Sequence, residues 1–435
     1  MLRLLGKALL CAFMASLGLA AKGDALQDYI KQPEPAYRWN LTQTSHMNGV
    51  TLYDLRMTSL TWHGITWHHH LQVFVPDSGT YPHFCTLLNT GGDGSPEETQ
   101  LGIMAAKMSG APFAILFDIP NQPLFDGRTE DALVVYTWLQ FLDTGDTTWP
   151  LHFPMAKAVI KAMDTIQALM KQEKRPEITG FLVTGASKRG WTAWLVGASG
   201  DPRVKAIAPM VIDMLNLPAQ IPHQLASYGA LSEQVDDYTK ADIPQKLQTP
   251  RGHELIQLED PYSYRDRLTL PKLIILGTND RYWSQDSLNL YWNGLKGPKW
   301  ILYDPNSGHG LEDRSRVYAT LMAFVRAIAG GKKWPQMHWK YTVNAQGATL
   351  EVQSNPAPVE ARLWRTYAPT LDFRDSHWTF EPMEINGNVC TGHLPTPAQG
   401  CAALFGELVF EQDGQRFTLS TQIQILGTPE KQAQK

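Results

Sequence analysis

The sequence predicts an α/β domain with a doubly wound, mostly parallel sheet, followed by an all-β sandwich of immunoglobulin or fibronectin III type. Between residues 85 and 212, short apolar runs alternate with helical stretches, as a doubly wound sheet requires. From about residue 332 the pattern changes to short alternating strands separated by turn residues. The 435 residues are also too many for one ordinary core, so two or three domains are expected.

The chain is expected to divide into a leader, two folded parts and a tail. Arg3 and Lys7 precede a short apolar stretch and the small-residue site Gly18-Leu-Ala20, which is typical of a secretory signal peptide. No other run approaches the ~20 apolar residues that span a bilayer. We therefore expect a secreted or periplasmic protein without a transmembrane segment. The predicted parts are a signal peptide (1–20), an α/β catalytic domain (21–331), a β-sandwich (332–428) and a disordered tail (429–435).

A serine lies between a predicted buried strand and a predicted helix, in the segment Gly185-Ala-Ser187-Lys-Arg-Gly190. A hydroxyl attacks carbonyls poorly unless a sharp strand-to-helix turn presents it to a histidine and to backbone N–H groups. Gly185 and Gly190 leave room for such a turn. Ser187 is therefore the candidate nucleophile.

An acid and a histidine follow this serine in the chain order of α/β-hydrolases. Asp280 directly ends a second apolar strand, which favours it over Asp286 and Asp304. His309 follows a third strand, and a helix from Trp283 to Leu295 is expected between the acid and the histidine. In this arrangement the histidine removes the serine proton, and the acid fixes the imidazole tautomer.

Two backbone N–H groups are expected to bind the oxyanion of such a reaction. We assign one to Lys188 and the other to Gly92, in the glycine-rich loop after the predicted strand Cys85 to Asn89. The side chain of Lys188 has two open roles. It is either a solvated cation beside the turn or a positive charge close to the oxyanion.

Residues 214–270 contain no strand pattern and are predicted to form a helical lid. The lid carries Glu233 and Asp236, which are candidates for binding a substrate's amine, as an aminopeptidase-like enzyme needs. The alternative for these acids is a hydrated helix face. Asn121 and Gln122 follow another predicted strand and are candidates for lining the same cleft.

Cysteines, histidines and charge lead to three further expectations. Cys390 and Cys401 bracket a Gly/Pro-rich segment and are expected to form a disulfide in an oxidising compartment. Three consecutive histidines, residues 68–70, alternate faces along a predicted strand and offer two metal ligands at most, so we expect no metal and no cofactor. A net charge of −4 with 18% charged residues gives no general attraction to nucleic acid.

The chain resembles the PhoPQ-activated pathogenicity-related proteins, a family of exported bacterial α/β-hydrolase-like proteins. The resemblance covers nearly all of the chain after the predicted signal. It implies a serine-hydrolase site at Ser187, Asp280 and His309, and an association with virulence or envelope stress. The motifs that carry it are Asn89-Thr-Gly-Gly92, Pro120-Asn-Gln-Pro-Leu124, Glu130-Asp-Ala-Leu133, Tyr136-Thr-Trp138, Gly185-Ala-Ser-Lys-Arg-Gly-Trp191, Gly277-Thr-Asn-Asp-Arg-Tyr-Trp283 and Asn306-Ser-Gly-His309.

Three functions are open from the sequence. The first is an exported serine hydrolase that forms an acyl-enzyme on a peptide or ester substrate, with a peptidase placed ahead because the chain is similar to prolyl-oligopeptidase-like enzymes. The second is a carbohydrate esterase, because Ser187-Lys-Arg-Gly190 is similar to the Ser-Arg-x-Gly of glucuronoyl esterases. The third is a binding or effector protein with an inactive triad. In the hydrolase hypothesis, the β-sandwich either shapes the cleft or docks to a protein or glycan partner.

Overall fold

The computed structural model describes residues 25–429, so the predicted signal peptide and all but the first residue of the predicted tail lie outside it. Over this range the chain forms ten α-helices and four short 3-10 helices. The α-helices are α1 (Ala25–Lys31), α2 (Pro96–Ser109), α3 (Glu130–Thr144), α4 (His152–Gln172), α5 (Lys188–Ala198), α6 (Leu217–Tyr228), α7 (Asp236–Lys240), α8 (Ile243–Lys246), α9 (Pro250–Glu259) and α10 (Arg314–Ala329). The 3-10 helices are Glu233–Val235, Pro261–Tyr264, Ser287–Leu290 and Trp292–Gly294.

Eighteen strands are present over the same range. In chain order, β1 to β18 are Arg38–Met47, Val50–Trp62, Ile65–Pro76, Phe84–Asn89, Phe113–Leu116, Gly180–Ala186, Val204–Met210, Lys272–Gly277, Lys299–Asp304, Gln336–Asn344, Gly347–Asn355, Glu360–Ala368, Thr379–Pro382, Glu384–Asn386, Val389–Pro395, Cys401–Gln412, Gln415–Ser420 and Gln424–Gly427.

The central sheet has the topology expected of an α/β-hydrolase. Its strands run in the order β1-β2-β3-β5-β4-β6-β7-β8-β9, and those from β5 to β9 are parallel to one another. Strands β1, β2 and β3 form an antiparallel edge. Helices α3, α4 and α5 pack on one face and α2 and α10 on the other, which is why the parallel strands are almost wholly buried. The predicted doubly wound fold is confirmed.

The helix after the first parallel strand is fixed by its own sequence. Ser95 caps α2 by accepting a hydrogen bond from the Glu98 amide, and the Glu98 carboxylate accepts one from the Ser95 amide at 3.0 Å. The same carboxylate accepts a hydrogen bond from the Gly94 amide at 3.1 Å. This capping box therefore also holds the glycine-rich loop that precedes the helix.

One predicted helix is wrong. The segment Trp283 to Leu295 contains only two short 3-10 helices. Side chains from elsewhere bind its carbonyl oxygens, since Asn216 donates to the Leu290 oxygen at 2.8 Å and Lys299 donates to the Trp292 oxygen at 2.6 Å. These tertiary hydrogen bonds replace the regular helical ones, a competition that helical periodicity alone does not reveal.

The C-terminal region consists of two packed antiparallel sheets, as predicted. One is the four-stranded sheet β10-β11-β15-β14, and the other is formed by β17, β16, β12, β13 and β18. The two sheets lie so close that a Cβ atom on Gly406 would be 2.7 Å from a methyl carbon of Leu350. The second sheet also continues the central sheet, because Ser420 in β17 pairs with Ile301 in β9. The central sheet thus runs across the predicted boundary at residue 332.

The predicted disulfide between Cys390 and Cys401 is wrong, because both cysteines are free. Cys390 lies in β15 of the four-stranded sheet, whereas Cys401 begins β16 of the other sheet. Both thiols are buried, and burial raises the pKa of each. Closeness in sequence does not bring the two side chains together, since the connecting segment crosses from one layer of the sandwich to the other.

Candidate active site

Ser187 occupies the sharp turn between β6 and α5. Its backbone has φ +56° and ψ −127°, in a region that L-residues rarely adopt. The Ser187 amide donates a hydrogen bond to the Met210 oxygen at 2.9 Å, and its carbonyl accepts one from the Trp191 amide at 2.9 Å. The turn is therefore tied both to the neighbouring strand β7 and to the helix that it opens.

Two glycines make this turn sterically accessible. A Cβ atom on Gly185 would lie 2.6 Å from the Arg189 oxygen, and one on Gly190 would lie 2.8 Å from the Met210 oxygen. Both contacts are with backbone atoms, which move little. The sequence requirement for glycine here arises from the close approach of strand and helix, as predicted.

His309 and Asp280 form a hydrogen-bonded pair at the ends of β9 and β8. The Nδ1 atom of His309 is 2.8 Å from Oδ2 of Asp280, whose side chain is only 7% exposed. The other carboxylate oxygen accepts a hydrogen bond from the Tyr282 amide at 3.0 Å. With Nδ1 donating to the carboxylate, Nε2 carries the lone pair that a general base needs.

The structure brings the three predicted catalytic residues together. Ser187 and His309 both line the same two cavities, and the Asp280 carboxylate binds the His309 imidazole. The parallel strands place all three at one edge of the sheet, where open α/β sheets bind ligands.

The side chain of Lys188 is engaged in an acidic cluster. Its Nζ atom lies 2.9 Å from Oδ2 of Asp131 and 3.4 Å from Oε2 of Glu130, with only 8% of the side chain exposed. Asp131 also accepts hydrogen bonds from the hydroxyls of Tyr238, at 3.0 Å, and Tyr282, at 3.3 Å. The carboxylates thus neutralise the ammonium charge beside the serine. The Lys188 amide opens α5, where backbone N–H groups have no intrahelical partner.

Gln122 and Arg189 both bind Glu130, so Gln122 supports the site without lining either cavity. The Gln122 amide nitrogen donates to Oε1 of Glu130 at 2.6 Å, and its oxygen accepts from the Glu130 amide at 2.9 Å. Arg189 forms a bidentate pair with the same carboxylate at 2.7 and 2.8 Å. Burial alone would raise the pKa of Glu130, but the bonds from Arg189 outweigh it and lower the pKa to about 2.

The glycine-rich loop differs from the prediction by one residue. The Gly92 amide donates to the Thr90 hydroxyl at 3.1 Å, so it is not free to bind an oxyanion. Gly91 instead lines a cavity with Ser187 and His309, and its amide has no hydrogen-bond partner among residues 25–429. A Cβ atom on Gly91 would lie 2.2 Å from the Arg189 guanidinium, which explains the glycine there.

Three of the predicted substrate-binding residues lie away from Ser187. Asn121 binds the backbone of His68 through both amide atoms, at 3.1 and 2.9 Å, and lines a separate surface pocket. Asp236 is 54% exposed and pairs with Lys240 at 3.0 Å. Glu233 is bound by Arg281 and Arg374, at 2.7 and 2.8 Å. The hydrogen bond from Arg281 contributes most to lowering the pKa of Glu233 to about 2.

The cavity beneath the lid, here called the lid chamber, has a mostly apolar lining and a volume of about 100 Å³. Neither Glu233 nor Asp236 lines it. The predicted lid (214–270) supplies much of the wall, from α6, α7 and α8. The apolar lining includes Trp138, Trp191, Met214, Leu217, Ile221 and Leu247.

Asp131 and Tyr282 were quoted in the sequence analysis only as parts of family motifs, and no role in the site was predicted for either. The Tyr282 ring packs on the His309 imidazole, with ring centroids 4.4 Å apart, and its hydroxyl reaches Asp131. A sequence signal existed for the tyrosine, because it stands two residues after the predicted acid. Asp131 opens a helix, where an acidic residue is ordinarily explained by the helix dipole.

The three consecutive histidines, residues 68–70, lie in β3, at the antiparallel edge of the sheet. His69 is buried, and its ring nitrogens bind the Ser59 hydroxyl at 2.8 Å and the Phe117 oxygen at 3.1 Å. Burial lowers the pKa of His69 to about 4. His70 pairs with Asp54 at 2.9 Å. Within the described range, no group of three or more potential metal ligands comes together.

Comparison with known proteins identifies the family. The model of the PhoPQ-activated pathogenicity-related proteins matches residues 26–374. The chain belongs to this family. It is also 33% identical over 392 residues to autocrine proliferation repressor protein A of Dictyostelium discoideum, covering 84% of this chain and 78% of the relative.

Solved structures that align with this chain include two acetyl xylan esterases. One, from Paenibacillus sp. R4, is 17% identical and aligns with a TM-score of 0.49 over 70% of this chain and 91% of its own. The other, from Thermoanaerobacterium sp. JW/SL YS485, is 17% identical with a TM-score of 0.48 over 69% and 91%. In the described part of this family member, no helix is long and apolar enough to cross a membrane.

Proposed function

We propose that this protein is a serine hydrolase that cleaves carboxylic esters through an acyl-enzyme formed on Ser187. The observation that carries the proposal is the 2.8 Å contact of His309 with Asp280, combined with a serine in a strained turn on the same cavities. Strain of this kind persists only where surrounding structure maintains it, and it is concentrated at functional sites.

The proposed reaction begins with attack of the Ser187 hydroxyl oxygen on the ester carbonyl carbon. Nε2 of His309 takes the hydroxyl proton, and the carbonyl oxygen becomes an oxyanion. Collapse of this intermediate breaks the bond to the alcohol oxygen, which receives the proton from His309. Water then attacks the acyl-enzyme by the same steps and releases the acid. Asp280 stays ionised throughout and stabilises the imidazolium.

The proposed oxyanion donors are the amides of Lys188 and Gly91. Lys188 stands directly after the nucleophile, and Gly91 lies in the loop after β4, where the second donor of an α/β-hydrolase is expected. Gly91 replaces the predicted Gly92, whose amide is already bound to Thr90. Each such donor is typically worth ~3 kcal/mol of barrier lowering.

Two observations favour an ester substrate over a peptide with a free amine. The acids predicted to bind an amine, Glu233 and Asp236, pair with cations of the protein and lie outside the lid chamber. The one carboxylate that lines the lid chamber, Asp131, is already paired with Lys188 at 2.9 Å, so a charged amine would lose its hydration there without a free partner. A peptidase that needs no free amine is the second candidate.

Covalent labelling tests the nucleophile. A fluorophosphonate probe should label the wild-type protein and fail to label Ser187→Ala, while Ser78→Ala, at an exposed serine, should label like the wild type. His309→Ala should label at least 100-fold more slowly, because the hydroxyl loses its base. Equal silence of the wild type and Ser187→Ala would instead favour the inactive binding protein.

A substrate panel tests the reaction class. The unlabelled wild-type protein should be offered phenyl esters and matched anilides of the same acids. It should also be offered peptide amides with free and with acetylated amino groups. We expect turnover of the esters with little or none of the amides. A preference for free-amine peptides would overturn the ester proposal and return Glu233 and Asp236 to the substrate site.

Export remains part of the proposal, as does a protein or glycan partner on the C-terminal β-sandwich. The N-terminal segment 1–20 supports secretion or transport to the periplasm, and the family supports a role in virulence or envelope stress. Mass spectrometry of the mature protein from a bacterial host would locate the cleavage, which we expect near Ala21. A mature chain that retains Met1 would contradict the signal peptide.

A further inference from the structure

We infer that the β-sandwich holds the catalytic acid and histidine in position, through the loop that joins β12 to β13. This role rests on the proposed function, because it concerns the same pair, Asp280 and His309. Residues 373–378 of the loop, here called the clamp, bind the two segments that follow β8 and β9. Those segments carry the acid and the histidine.

One asparagine joins the clamp to the segment of the acid. Asn279 stands directly before Asp280 in the chain. Its side-chain amide nitrogen donates to two carbonyl oxygens of the clamp, that of Arg374 at 3.1 Å and that of Ser376 at 2.7 Å. The backbone of the clamp thus binds the residue next to the catalytic carboxylate.

A second asparagine joins the clamp to the segment of the histidine. Asn306 stands three residues before His309, and its amide nitrogen donates to the Trp378 oxygen at 2.9 Å. Its side-chain oxygen accepts from the Trp378 amide at 2.7 Å. The Asn279 backbone amide also donates to the Ser307 oxygen at 2.9 Å, so the two catalytic segments bind each other as well as the clamp.

The clamp is itself held firmly in the β-sandwich. Phe373 and Trp378, at its two ends, are 0% and 1% exposed. Between them, the Asp372 carboxylate accepts hydrogen bonds from the Arg374 amide at 3.1 Å and from the Arg374 guanidinium at 2.7 Å. Since a misplacement of reacting groups by about 1 Å can lower a rate ~100-fold, a fixed support for both catalytic segments bears on the reaction.

Ion pairs reinforce the clamp on the other side of the acid. Asp375 pairs with Arg281, the residue after Asp280, at 2.6 Å, and Arg374 pairs with Glu233 of the lid at 2.8 Å. Arg281 is 41% exposed and Asp375 is 87% exposed, so this pair contributes little to stability. The asparagines are therefore the residues to test.

Three variants separate positioning from general attachment of the β-sandwich. Asn279→Ala and Asn306→Gly, here called the clamp variants, remove the side-chain bonds to the clamp. Glycine is used at position 306 because φ there is +58°, where alanine would be strained. Asn289→Ala is the matched control. Asn289 also binds the β-sandwich through both amide atoms, to the Ile423 oxygen at 2.9 Å and the Gln422 side chain at 2.6 Å, but it lies in neither catalytic segment.

Turnover of phenyl acetate is measured on the whole protein, well below the thermal midpoint of every variant. We expect kcat to fall roughly tenfold in both clamp variants with KM changed less than about twofold, because the general base is displaced while the cavities are kept. Asn289→Ala should keep kcat within about twofold of the wild type, although its thermal midpoint falls by a similar few degrees. Unchanged kcat in the clamp variants, or an equal loss in Asn289→Ala, overturns the positioning role.

Hydrogen exchange of the backbone amides of residues 306–313 provides a readout that needs no activity. These amides should exchange severalfold faster in the clamp variants and at the wild-type rate in Asn289→Ala. A wild type that neither turns over phenyl acetate nor reacts with a fluorophosphonate contradicts the hydrolase itself. In that case exchange alone decides whether the clamp fixes the histidine segment, and equal exchange in all four proteins shows that it does not.

Discussion

The Nζ atom of Lys188 lies 2.9 Å from Oδ2 of Asp131, immediately beside the strained Ser187 turn. Both side chains are mostly buried, at 8% and 15% exposure, and the hydroxyls of Tyr238 and Tyr282 complete the cluster around the carboxylate. A lysine next to a nucleophile suggests a cation for the oxyanion. Here the carboxylates of Asp131 and Glu130 already neutralise that cation, so we assign its side chain a structural role.

The first prediction concerns this pair. Asp131→Asn should lower the free energy of unfolding by about 3 kcal/mol, because it leaves a largely buried ammonium with a weaker partner. Lys188→Met alone should cost a similar amount, and the double variant should recover most of the loss. Urea unfolding of the four proteins measures the coupling.

A solvent-exposed pair provides the control for this cycle. Lys240 and Asp236 are 3.0 Å apart but 73% and 54% exposed, so the same substitutions there should change stability by less than about 1 kcal/mol. If Lys188→Met lowered kcat with no loss of stability, the lysine would act on the oxyanion and the structural assignment would be wrong.

The second prediction concerns Tyr282, which we regard as a positioning residue for His309. Tyr282→Phe keeps the ring whose centroid is 4.4 Å from the imidazole and removes only the 3.3 Å hydrogen bond to Asp131. It should lower kcat less than about threefold. Tyr282→Ala removes the ring, and the loss of an aromatic contact worth ~1 kcal/mol should lower kcat by about five- to tenfold.

The pH profile distinguishes positioning from general damage to the fold. In Tyr282→Ala the acid limb of kcat against pH, which reports on the catalytic histidine, should move while the thermal midpoint changes by only a few degrees. An unshifted profile with a much lower midpoint would show that Tyr282 serves the fold alone.

The sequence predicted those parts of the molecule that are determined locally. Ser187, Asp280 and His309 each follow an apolar strand. Because parallel strands have their carboxyl ends at one edge of the sheet, this placement alone predicts that the three residues lie close together. The need for glycine at positions 185 and 190 was also predictable, because a strand-to-helix turn brings backbone segments close together.

Features that depend on side-chain hydrogen bonds were missed. The hydroxyl of Thr90 selects which loop amide is free, and two distant arginines bind Glu233. Asn216 and Lys299 bind the carbonyl oxygens of a segment whose periodicity indicates a helix. Each case is a competition between a local pattern and a hydrogen bond from a side chain, and the patterns of propensity and periodicity do not show which side chain will reach which backbone or carboxylate group.

The third prediction concerns the pH dependence of stability, through Asp213. This carboxyl group lies in the loop after β7, is buried, and accepts a hydrogen bond from the Tyr291 hydroxyl at 2.6 Å. Burial, reinforced by the charges of Asp280 and Asp286, raises the pKa of Asp213 to about 8. The folded protein therefore holds a proton that the unfolded chain releases above its ordinary pKa of about 3.9.

The sign of the effect follows from this proton. The stabilisation due to protonated Asp213 is complete below pH 4 and is lost as the pH rises towards about 8, with a slope of up to about 1.4 kcal/mol per pH unit. Asp213→Asn cannot titrate, yet its side-chain oxygen still accepts from Tyr291. Urea unfolding at pH 5.5, 6.5 and 7.5 should show the variant gaining stability relative to the wild type at each step. Asp236→Asn, at an exposed position, should run parallel to the wild type, and parallel curves for Asp213→Asn as well would mean that the buried carboxyl is ionised.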